Sequence, residues 1–464
     1  MEMLPPFVET TLRATFSLPI GGSFVSVVRD SRDASPGALF FALAGERFDG
    51  TDFLPAVAAA GASAAVVPAS APADKIPSDL PVLRVADTRQ ALLALARAYR
   101  DRFAVPVLGV TGSVGKTSTR GLLHAILSAA GPTVQTRGNY NNEVGLPLSL
   151  FALDSSVCFG VFEAGVSHPG DMPPLADAMH PSAVVFSTLG ESHLLAFGTR
   201  EAIAREKGLL ARGLPADGFL VFGADDPLET LYASSAPVSA RRIRVSFADA
   251  PDADWRARLD GDTLLLSHAA SGTVLRLLVP SPAATQSRNL ARAAAAAWAL
   301  GISADAIEQG ARAFSAEPGR WQKLSTPSGI KVIHDAYNAS PTSFASALAA
   351  LPREAPPAAC AVVAGPMLEL GPAEAEAHRR IGGLLATGGY KAVVVLSREG
   401  TALAADPAAL ALASAFPDGA ENFLATDDPR AAGAFLASRL APGDTVLLKA
   451  SRGVRAERIL PFLP

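Results

Sequence analysis

Residues 105–118 read VPVLGVTGSVGKTS, an apolar run followed directly by a glycine-rich loop that ends in lysine and threonine. The run from Val105 to Val110 has the continuous apolar character of a buried parallel strand, and the residues from Thr119 to Ala130 have helical spacing. Glycines let backbone N–H groups turn toward an anion, and a helix N-terminus adds positive potential. Strand, loop and helix in this order predict a phosphate-binding loop.

The polar residues of this loop have distinct roles. Lys116 can reach the β- and γ-phosphates of a nucleotide, and Thr117 can ligate Mg²⁺. A strict eight-residue P-loop would place its first glycine at position 110, where this chain has Val110. The spacing is therefore that of a shorter G-x-x-G-K-T variant. The candidate nucleotide contacts are Gly112, Ser113, Gly115, Lys116, Thr117 and Ser118.

Similar apolar runs alternate with helical stretches along the rest of the chain. This alternation predicts an α/β fold whose strands are largely parallel. The predicted strands after Val105–Val110 are Val157–Phe162, Ala183–Phe186, Gly218–Phe222, Val332–Ile333, Ala361–Ala364, Ala392–Leu396 and Thr445–Leu448.

We predict three domains with approximate boundaries. Residues 1–86 contain two strand-like runs, Phe24–Val28 and Ala38–Ala44, and no phosphate loop. Residues 87–318 begin with a helical segment and hold the glycine loop. A helical segment ends at Pro318 and Gly319, and a fresh strand-helix series then fills residues 319–464.

Composition limits the possible functions. The chain has 464 residues, of which 49% are hydrophobic, enough for more than one core. A formal net charge of -4 gives no general attraction for nucleic acid or anionic lipid. Cys158 and Cys360 lie in apolar runs, which predicts buried thiols in a reducing compartment. The uncharged stretch from Pro55 to Ala73 is predicted as helix, turn and short strand rather than a membrane span, so we expect a cytoplasmic protein.

Several polar residues follow predicted strands or lie in predicted helices. Glu163 ends a strand, where ligand sites of α/β sheets form, and is a candidate magnesium ligand. His193 follows the next strand. Lys207 lies in a predicted helix from Arg200 to Leu210 and, on pattern alone, is interpreted as a solvated lysine. Asn139, Asn141 and Asn142 are turn formers, and residues 225–227 indicate a turn and a helix start.

Together these segments resemble the Mur ligase family over essentially the whole chain. The loop at 112–117 has the family spacing. Residues 139–147 are similar to the Asn-Asn-x-x-Gly-x-Pro motif of the branch that adds D-alanyl-D-alanine to UDP-N-acetylmuramoyl-tripeptide. Residues 30–32, 36–40 and 45–53 resemble the family's uridine-nucleotide pattern. Residues 335–341, 367–371 with His378, and 449–452 resemble motifs of its C-terminal domain.

The resemblance implies a three-domain Mur ligase architecture: a small N-terminal α/β domain that binds the UDP substrate, a central ATP-binding domain, and a Rossmann-like C-terminal domain that closes on ATP and the dipeptide. It implies ATP and Mg²⁺ as cofactors and an acyl-phosphate intermediate. Lys116, Glu163, His193 and Lys207 would be catalytic. The metal set would be Thr117, Glu163, His193 and Lys207 as a carbamate.

The resemblance also assigns contacts to the substrates. Further ATP contacts would be Asn289, Arg320, Asp335 and Asn338. Contacts to the UDP-linked tripeptide and the dipeptide would be Ser31, Arg32, Asn139, Asn141, Asn142, Lys449 and Ser451. A monomer without nucleic-acid partners or membrane segments is expected. Four positions depart from the residues common in the family: Thr188, Arg288, His334 and Pro366.

Other functions remain open at this stage. One is a related amide ligase, either the diamino-acid-adding Mur enzyme or a folylpolyglutamate synthase. Residues 139–147 argue against both, and the chain lacks the Asp-Asn-Pro-Arg motif expected of the former. A non-catalytic ATP-binding switch and a small-molecule kinase are alternatives from other classes.

Overall fold

The structure is a computed structural model that describes residues 2–45 and 48–464. In these ranges the strands are β1 (Ser26–Val28), β2 (Ala38–Phe41), β3 (Ala64–Pro68), β4 (Val82–Val85), β5 (Val107–Thr111), β6 (Thr133–Gln135), β7 (Phe159–Glu163), β8 (Ala183–Phe186), β9 (Phe219–Gly223), β10 (Arg241–Ser246), β11 (Trp255–Asp260), β12 (Thr263–His268), β13 (Val274–Leu278), β14 (Gln322–Ser325), β15 (Lys331–His334), β16 (Cys360–Ala364), β17 (Ala392–Leu396), β18 (Phe423–Thr426) and β19 (Thr445–Lys449).

The helices occupy the connections between strands and the segments before them. They are α1 (Pro5–Leu12), α2 (Leu54–Ala59), α3 (Thr88–Arg100), α4 (Lys116–Ser128), α5 (Gly145–Leu150), α6 (Met172–Met179), α7 (Leu194–Phe197), α8 (Arg200–Gly208), α9 (Ala284–Ala299), α10 (Ala304–Ala313), α11 (Pro341–Ala350), α12 (Glu374–Thr387), α13 (Pro407–Ala413) and α14 (Pro429–Ala437).

These strands form three sheets, and most neighbouring strands are parallel. The first sheet has the order β1-β2-β3-β4. The second has the order β13-β12-β11-β10-β9-β8-β5-β7-β6, and the third has the order β14-β15-β19-β16-β17-β18. Antiparallel pairs join β11 to β12, β12 to β13 and β14 to β15. The predicted α/β class with mainly parallel strands is confirmed.

The predicted strands all appear, with ends shifted by at most about three residues. The helix after the loop begins at Lys116 rather than at the predicted Thr119, because Gly115 has φ 90° and acts as its N-cap. The helix therefore starts inside the loop, and the N–H groups of its first turn have no partner one turn back in the helix. The antiparallel meander β11–β13 was not predicted, since its alternating strands lack long apolar runs.

Helix α3 lies between the first and second sheets and joins their cores. Its buried side chains, including Leu92 and Tyr99, belong to one apolar cluster with Leu39 of the first sheet and Phe162 of the second. The other face of the second sheet packs on α4, α9 and α10 through a separate cluster that contains Leu122 and Leu290. The second sheet is thus covered on both faces, as a parallel sheet requires.

The cysteines differ from the prediction at one position. Cys360, the first residue of β16, is buried, and this burial raises the pKa of its thiol to about 11. Cys158, which precedes β7, is exposed, so the prediction of two buried thiols is wrong for Cys158. Cys158 belongs to the apolar run in the sequence, but the strand itself begins only at Phe159. No helix in the described ranges is both long and apolar enough to cross a membrane.

Two helical glycines predict opposite effects of the same substitution. A Cβ at Gly310 of α10 would lie 2.3 Å from Ile126 Cα of α4, whereas a Cβ at Gly383 of α12 would meet no atom within 4 Å. We expect Gly310→Ala to destabilise the protein by about 1–3 kcal/mol through overpacking. Gly383→Ala should stabilise by up to about 1 kcal/mol through helix propensity.

The measurement is the midpoint of thermal unfolding of both variants and the wild type. The expected result is a lower midpoint for Gly310→Ala and an equal or higher midpoint for Gly383→Ala. A Gly310→Ala midpoint at or above that of the wild type would show that α4 and α10 do not approach each other this closely.

Candidate functional site

Strand order brings three chain segments to one edge of the second sheet. β5 lies between β7 and β8 and is parallel to both. The carboxyl ends of these strands therefore meet at one edge. The glycine loop follows β5, Glu163 is the last residue of β7, and residues 187–193 follow β8. The loop, the carboxylate and the histidine predicted from sequence are consequently neighbours.

Two glycines are required by the loop's close contacts. Gly112 has φ 141°, and a Cβ there would lie 2.2 Å from Ser187 Oγ. Gly115 has φ 90°, and a Cβ there would lie 2.1 Å from Asn289 Nδ2. A side chain at either position would clash in a backbone conformation that already disfavours L-residues. Asn289 thus lies directly against the loop.

The loop backbone is fixed by the strand beside it. The N–H groups of Ser113 and Val114 both donate to the carbonyl oxygen of Thr188, at 3.1 and 3.0 Å. Lys116 Nζ donates to the carbonyl oxygen of Gly112 at 3.1 Å, which folds the lysine back over the loop. Burial lowers the pKa of Lys116. The lysine is therefore positioned by the loop before any ligand arrives.

Glu163 is 2% exposed and is held by two side chains. Thr117 Oγ1 donates to Glu163 Oε2 at 2.9 Å, and Asn141 Nδ2 donates to Glu163 Oε1 at 2.7 Å. The backbone N–H of Glu163 donates to Thr136 Oγ1. One carboxylate therefore connects the phosphate loop with the segment that contains the three asparagines.

Lys207 is buried rather than solvated, so the interpretation from helical pattern alone is wrong. Its side chain on α8 is 0% exposed, and its Nζ has no hydrogen-bond partner among the residues that the structure describes. Burial, and secondarily the positive charge of Lys116, hold the pKa of Lys207 well below its ordinary value. This environment shifts the protonation equilibrium of Lys207 toward the neutral amine. Hydrophobic spacing within α8 could not reveal the burial of Lys207, because segments that pack against α8 are distant in sequence.

His193 contacts the third sheet's domain. It has φ 64° and precedes α7. Its Nδ1 lies 2.5 Å from Glu369 Oε2, and the hydrogen bond from His193 lowers the pKa of Glu369. The backbone N–H of Leu195 also donates to the carbonyl oxygen of Glu369. These contacts join the segment after β8 to the segment after β16.

The opposite wall of the site comes from α9 and from the junction before β14. Asn289 Nδ2 and Oδ1 are buried and have no hydrogen-bond partner within residues 2–45 and 48–464. Gln286, one turn earlier, donates through Nε2 to Ser118 Oγ at 3.2 Å, and its Oε1 is likewise without a partner in these ranges. The Arg320 guanidinium lies 4.2 Å from the centre of the Tyr337 ring. The amide groups of α9 are available to a ligand.

The C-terminal candidates form a connected set. Asp335 Oδ2 lies 2.8 Å from Lys449 Nζ, and Asp335 Oδ1 accepts the N–H of Trp321. Lys449 Nζ also donates to the carbonyl oxygen of Asn338 at 3.0 Å. Ser451 is buried, where its hydroxyl accepts the N–H of Leu368 and lies 3.3 Å from the carbonyl oxygen of Ala339.

The hydrogen bonds of the candidates in the first domain are local. Asp30 accepts hydrogen bonds from the backbone and the guanidinium of Arg32, and these bonds hold the pKa of Asp30 far below its usual range. Arg32 itself is exposed, and Ser31 begins a short 3₁₀ turn. Of the predicted 45–53 segment, residues 46 and 47 lie outside the described residues.

A cleft of about 340 Å³ gathers most of the candidates. Its lining includes the candidates Ser113, Gly115, Lys116, Thr117, Ser118, Asn139, Asn141, Asn142, Glu163, His193, Asn289, Arg320, Asp335, Asn338 and Lys449. Gly112, Lys207, Ser31, Arg32 and Ser451 are not part of the lining. Both the second and the third sheet's domains contribute walls, so a ligand in the cleft would contact both.

The sequence analysis assigned no site role to four residues that contribute here. Gln286 lines the cleft three positions before Asn289, and this helical spacing was a usable signal. Ser192, whose hydroxyl donates to the carbonyl oxygen of Ser113, and Trp321 also line it. Glu369 contacts His193 from another domain. No local pattern predicts such a contact.

The donors at the loop fit a hard divalent cation. Thr117 and Glu163 present hydroxyl and carboxylate oxygens 2.9 Å apart, the ligand type that Mg²⁺ prefers. The orphaned Lys207 amine fits conversion to a carbamate, which would add a further anionic oxygen donor. Within residues 2–45 and 48–464, no cluster of three His, Cys, Asp or Glu side chains forms a ready metal site. The predicted set of Thr117, Glu163, His193 and Lys207 as a carbamate therefore stays a prediction.

Three family models match this chain in succession. The model described as "Mur ligase family, catalytic domain" matches residues 24–100. The "Mur ligase middle domain" matches residues 110–297, and the "Mur ligase, glutamate ligase domain" matches residues 319–452.

Individual relatives match over nearly the full length. The UDP-N-acetylmuramoyl-tripeptide–D-alanyl-D-alanine ligase of Bacillus subtilis is 31% identical, over 94% of this chain and 92% of its own. A crystal structure of MurF from Acinetobacter baumannii is 27% identical, with a TM-score of 0.86 over 100% and 99% of the two chains. MurF from Thermotoga maritima in complex with ADP is 28% identical, with a TM-score of 0.79 over 95% and 97%.

His378 predicts a pH dependence of stability. It is fully buried; its Nε2 accepts the N–H of Met367 at 2.8 Å, and its Nδ1 lies 2.6 Å from the carbonyl oxygen of Glu374. Burial lowers the pKa of His378 below its ordinary value of 6.5. The unfolded chain therefore takes up a proton first, and the free energy of unfolding should decrease as pH falls below about 6.5.

We expect His378→Gln, which can still accept the N–H of Met367, to lose part of this pH dependence. The exposed His168 supplies the control variant His168→Gln, which should retain all of it. Thermal midpoints between pH 8 and pH 5 would test this. Parallel curves for wild type and His378→Gln would contradict a neutral buried imidazole.

Proposed function

The chain belongs to the Mur ligase family, and we propose that it adds D-alanyl-D-alanine to UDP-N-acetylmuramoyl-tripeptide at the expense of ATP. The product would be the UDP-muramoyl-pentapeptide precursor of peptidoglycan, made in the cytoplasm. The near full-length relatives named for this reaction support the proposal. The observation that carries it within this chain is the bond from Asn141 to Glu163, the same carboxylate that accepts from Thr117.

That bond links two halves of a ligase reaction. Thr117 belongs to the nucleotide loop, and Asn141 belongs to the segment 139–147 that resembles the motif of this branch. A group bound beside the asparagines would therefore lie next to the phosphate loop. A nucleotide switch would need the loop alone, whereas an acyl-group ligase needs both. The arrangement supports acyl transfer over simple nucleotide sensing.

ATP would bind in the cleft between the second and third sheets' domains. The first turn of α4 and Lys116 would hold the phosphates, because free N–H groups and a positive charge stabilise a transferring phosphoryl group. Gln286 Oε1 and the Asn289 amide, which have no hydrogen-bond partner among the described residues, would supply hydrogen bonds to the nucleoside. Arg320, Asp335 and Asn338 would close over it from the other domain.

Thr117, Glu163, His193 and Lys207 as a carbamate would hold Mg²⁺. The ion, when bound, would neutralise negative charge on the phosphates. To become a carbamate, the neutral amine of Lys207 would attack the carbon of CO₂; a C–N bond forms, one C=O π pair moves to its oxygen, and one amine proton leaves to solvent. Burial of the amine favours this reaction because only the unprotonated form is nucleophilic.

The proposed chemistry has two steps. A terminal carboxylate oxygen of the tripeptide attacks the γ-phosphorus, and the bond to the β-phosphate oxygen breaks. ADP is released, and the tripeptide becomes an acyl phosphate. The amine of D-alanyl-D-alanine then attacks the acyl carbon, phosphate leaves with the C–O bond electrons, and the amine proton passes to solvent. Lys116, held in a fixed position, would stabilise electrostatically the negative charge on the phosphoryl group that is transferred in the first step. Lys449 and Ser451 would lie on the dipeptide side, and Ser31 and Arg32 on the UDP side.

Phosphate release tests the proposal directly. The assay contains Mg-ATP, UDP-muramoyl-tripeptide and D-alanyl-D-alanine, with each component omitted in turn. We expect release that requires all three and a pentapeptide product. Release with a different amine would reassign the substrate within the amide ligases. A stable phosphorylated product without an amide would indicate a kinase, and no release would indicate a nucleotide-binding protein.

Lys207→Met tests the carbamate separately. Methionine fills the same volume without an amine, so we expect the protein to fold and to lose at least about 100-fold in kcat, in line with removal of a group that holds a catalytic ion. Lys391→Met, at a lysine paired with Asp444 in the third sheet's domain, is the control and should remain active. Wild-type activity should also fall in CO₂-depleted buffer and return with bicarbonate. An active Lys207→Met enzyme would remove the carbamate from the mechanism.

A further inference from the structure

A buried ion pair lies beneath the nucleotide loop and has no part in the chemistry proposed above. Arg292 of α9 and Glu229, in the 3₁₀ segment 227–233, are 4% and 2% exposed. Arg292 Nη2 lies 2.9 Å from Glu229 Oε2 and 3.1 Å from Oε1. Neither residue lines the cleft. A pair this deeply buried costs desolvation energy, so its other contacts matter.

Those contacts go to the strand that supports the loop. Arg292 Nη1 donates to the carbonyl oxygen of Phe186 at 3.1 Å, and Glu229 Oε1 accepts the N–H of Leu189 at 3.2 Å. The pair therefore makes hydrogen bonds to the residues immediately before and after the segment 187–188. The carbonyl oxygen of Thr188, within that segment, accepts the N–H groups of Ser113 and Val114. The ion pair thus fixes the backbone on either side of the Thr188 carbonyl oxygen, which is the atom that accepts the hydrogen bonds of the loop.

The two segments that carry the pair also contact other parts of the site. Arg292 lies three positions after Asn289 on α9, and the Asn289 amide lies against Gly115. Tyr232, three positions after Glu229, stacks on Phe186 with ring centres 4.3 Å apart. A Cβ at Gly208, the neighbour of Lys207, would lie 2.9 Å from the carbonyl oxygen of Tyr232. The loop, α9 and α8 therefore all contact the segments that carry the ion pair.

We propose that Glu229 and Arg292 are positioning residues that fix the nucleotide loop by holding the backbone on either side of Thr188. Fixing the carbonyl oxygen of Thr188 fixes the Ser113 and Val114 N–H groups, and with them the loop that holds Lys116. The pair also sets the position of Asn289 on the other side of the loop. This inference rests on the proposed use of the loop for ATP.

A positioning role and a purely stabilising role predict different results. An apolar pair of similar volume can replace a buried ion pair without loss of stability. Such a pair, however, can neither donate to Phe186 nor accept from Leu189. If the ion pair only stabilises the fold, an apolar replacement that restores stability should restore nucleotide use as well. If it positions the loop, stability should return while nucleotide use stays impaired.

The chain offers a matched control in the third sheet's domain. Asp406 is fully buried, accepts the backbone N–H groups of Arg398 and Ala409, and pairs with the Arg398 guanidinium. Glu229 likewise accepts two backbone N–H groups, from Leu189 and Gly223, and pairs with an arginine. Asp406→Asn and Glu229→Gln therefore make the same chemical change in two places, and only Glu229 is connected to the loop.

The experiment measures ADP binding, KM for ATP, KM for the UDP-tripeptide and the thermal midpoint for five proteins. These are the wild type, Glu229→Gln, Arg292→Lys, Asp406→Asn and the double variant Glu229→Met with Arg292→Met. For Glu229→Gln we expect roughly a tenfold weakening of ADP binding and a matching rise in KM for ATP, as expected for the loss of a charge-assisted bond. KM for the UDP-tripeptide should stay within about twofold, since none of the pair's hydrogen bonds to described residues reaches the first domain.

Two further results complete the test. Arg292→Lys should lie between wild type and Glu229→Gln, because a lysine can reach Glu229 or Phe186 but lacks the fork that reaches both. Asp406→Asn should lower the thermal midpoint and leave KM for ATP unchanged. The double methionine variant should regain most of the midpoint but keep the weak ADP binding.

The inference is overturned if the double variant binds ADP as well as the wild type, or if Asp406→Asn weakens nucleotide binding as much as Glu229→Gln. Because ADP binding is measured apart from turnover, a wild type that binds ADP but joins no substrates would contradict the proposed function and leave the test of the pair intact.

Discussion

The parallel pairing of β5 with β7 on one side and β8 on the other is the constraint from which the site follows. It brings the glycine loop, Glu163 and the 187–193 segment to the same edge of one sheet. The two neighbours contribute different groups, since β7 supplies the carboxylate that Thr117 contacts and β8 continues into the carbonyl oxygen that holds the loop. Shifting the register of β7 or β8 against β5 by one residue would separate these groups and turn the side chains of the shifted strand to the opposite face of the sheet.

Around this edge the protein keeps several polar groups in unfavourable surroundings. In the described part of the chain, the Lys207 amine and the Asn289 amide are buried without hydrogen-bond partners. Leaving buried polar groups unpaired costs on the order of 1–3 kcal/mol each. Groups of this kind are more easily understood as prepared for a ligand or a modification than as part of the fold. The well-packed clusters on both faces of the second sheet offset the cost.

The sequence was most informative where one segment determines the structure by itself. The strand at 183–186, the loop at 112–117 and the position of Glu163 all depend on local pattern and could be predicted. The burial of Lys207 and the contact between His193 and Glu369 depend on segments that are distant along the chain. The pair of Glu229 and Arg292, 63 positions apart, is of the same kind. Pattern analysis finds residues that act on their neighbours in sequence, and it misses those that act on neighbours in space.

The different surroundings of the two cysteines make the native chain a ready substrate for spectroscopic labelling. The Cys360 thiol is buried and its pKa is raised to about 11, so it carries little thiolate near neutral pH and is shielded from reagents. Cys158 is exposed immediately before β7, outside the cleft. A maleimide dye would therefore attach at one point on the central domain without any cysteine being removed. A second dye on an engineered surface cysteine of the C-terminal domain would report the distance between the two domains, and hence their movement, in solution.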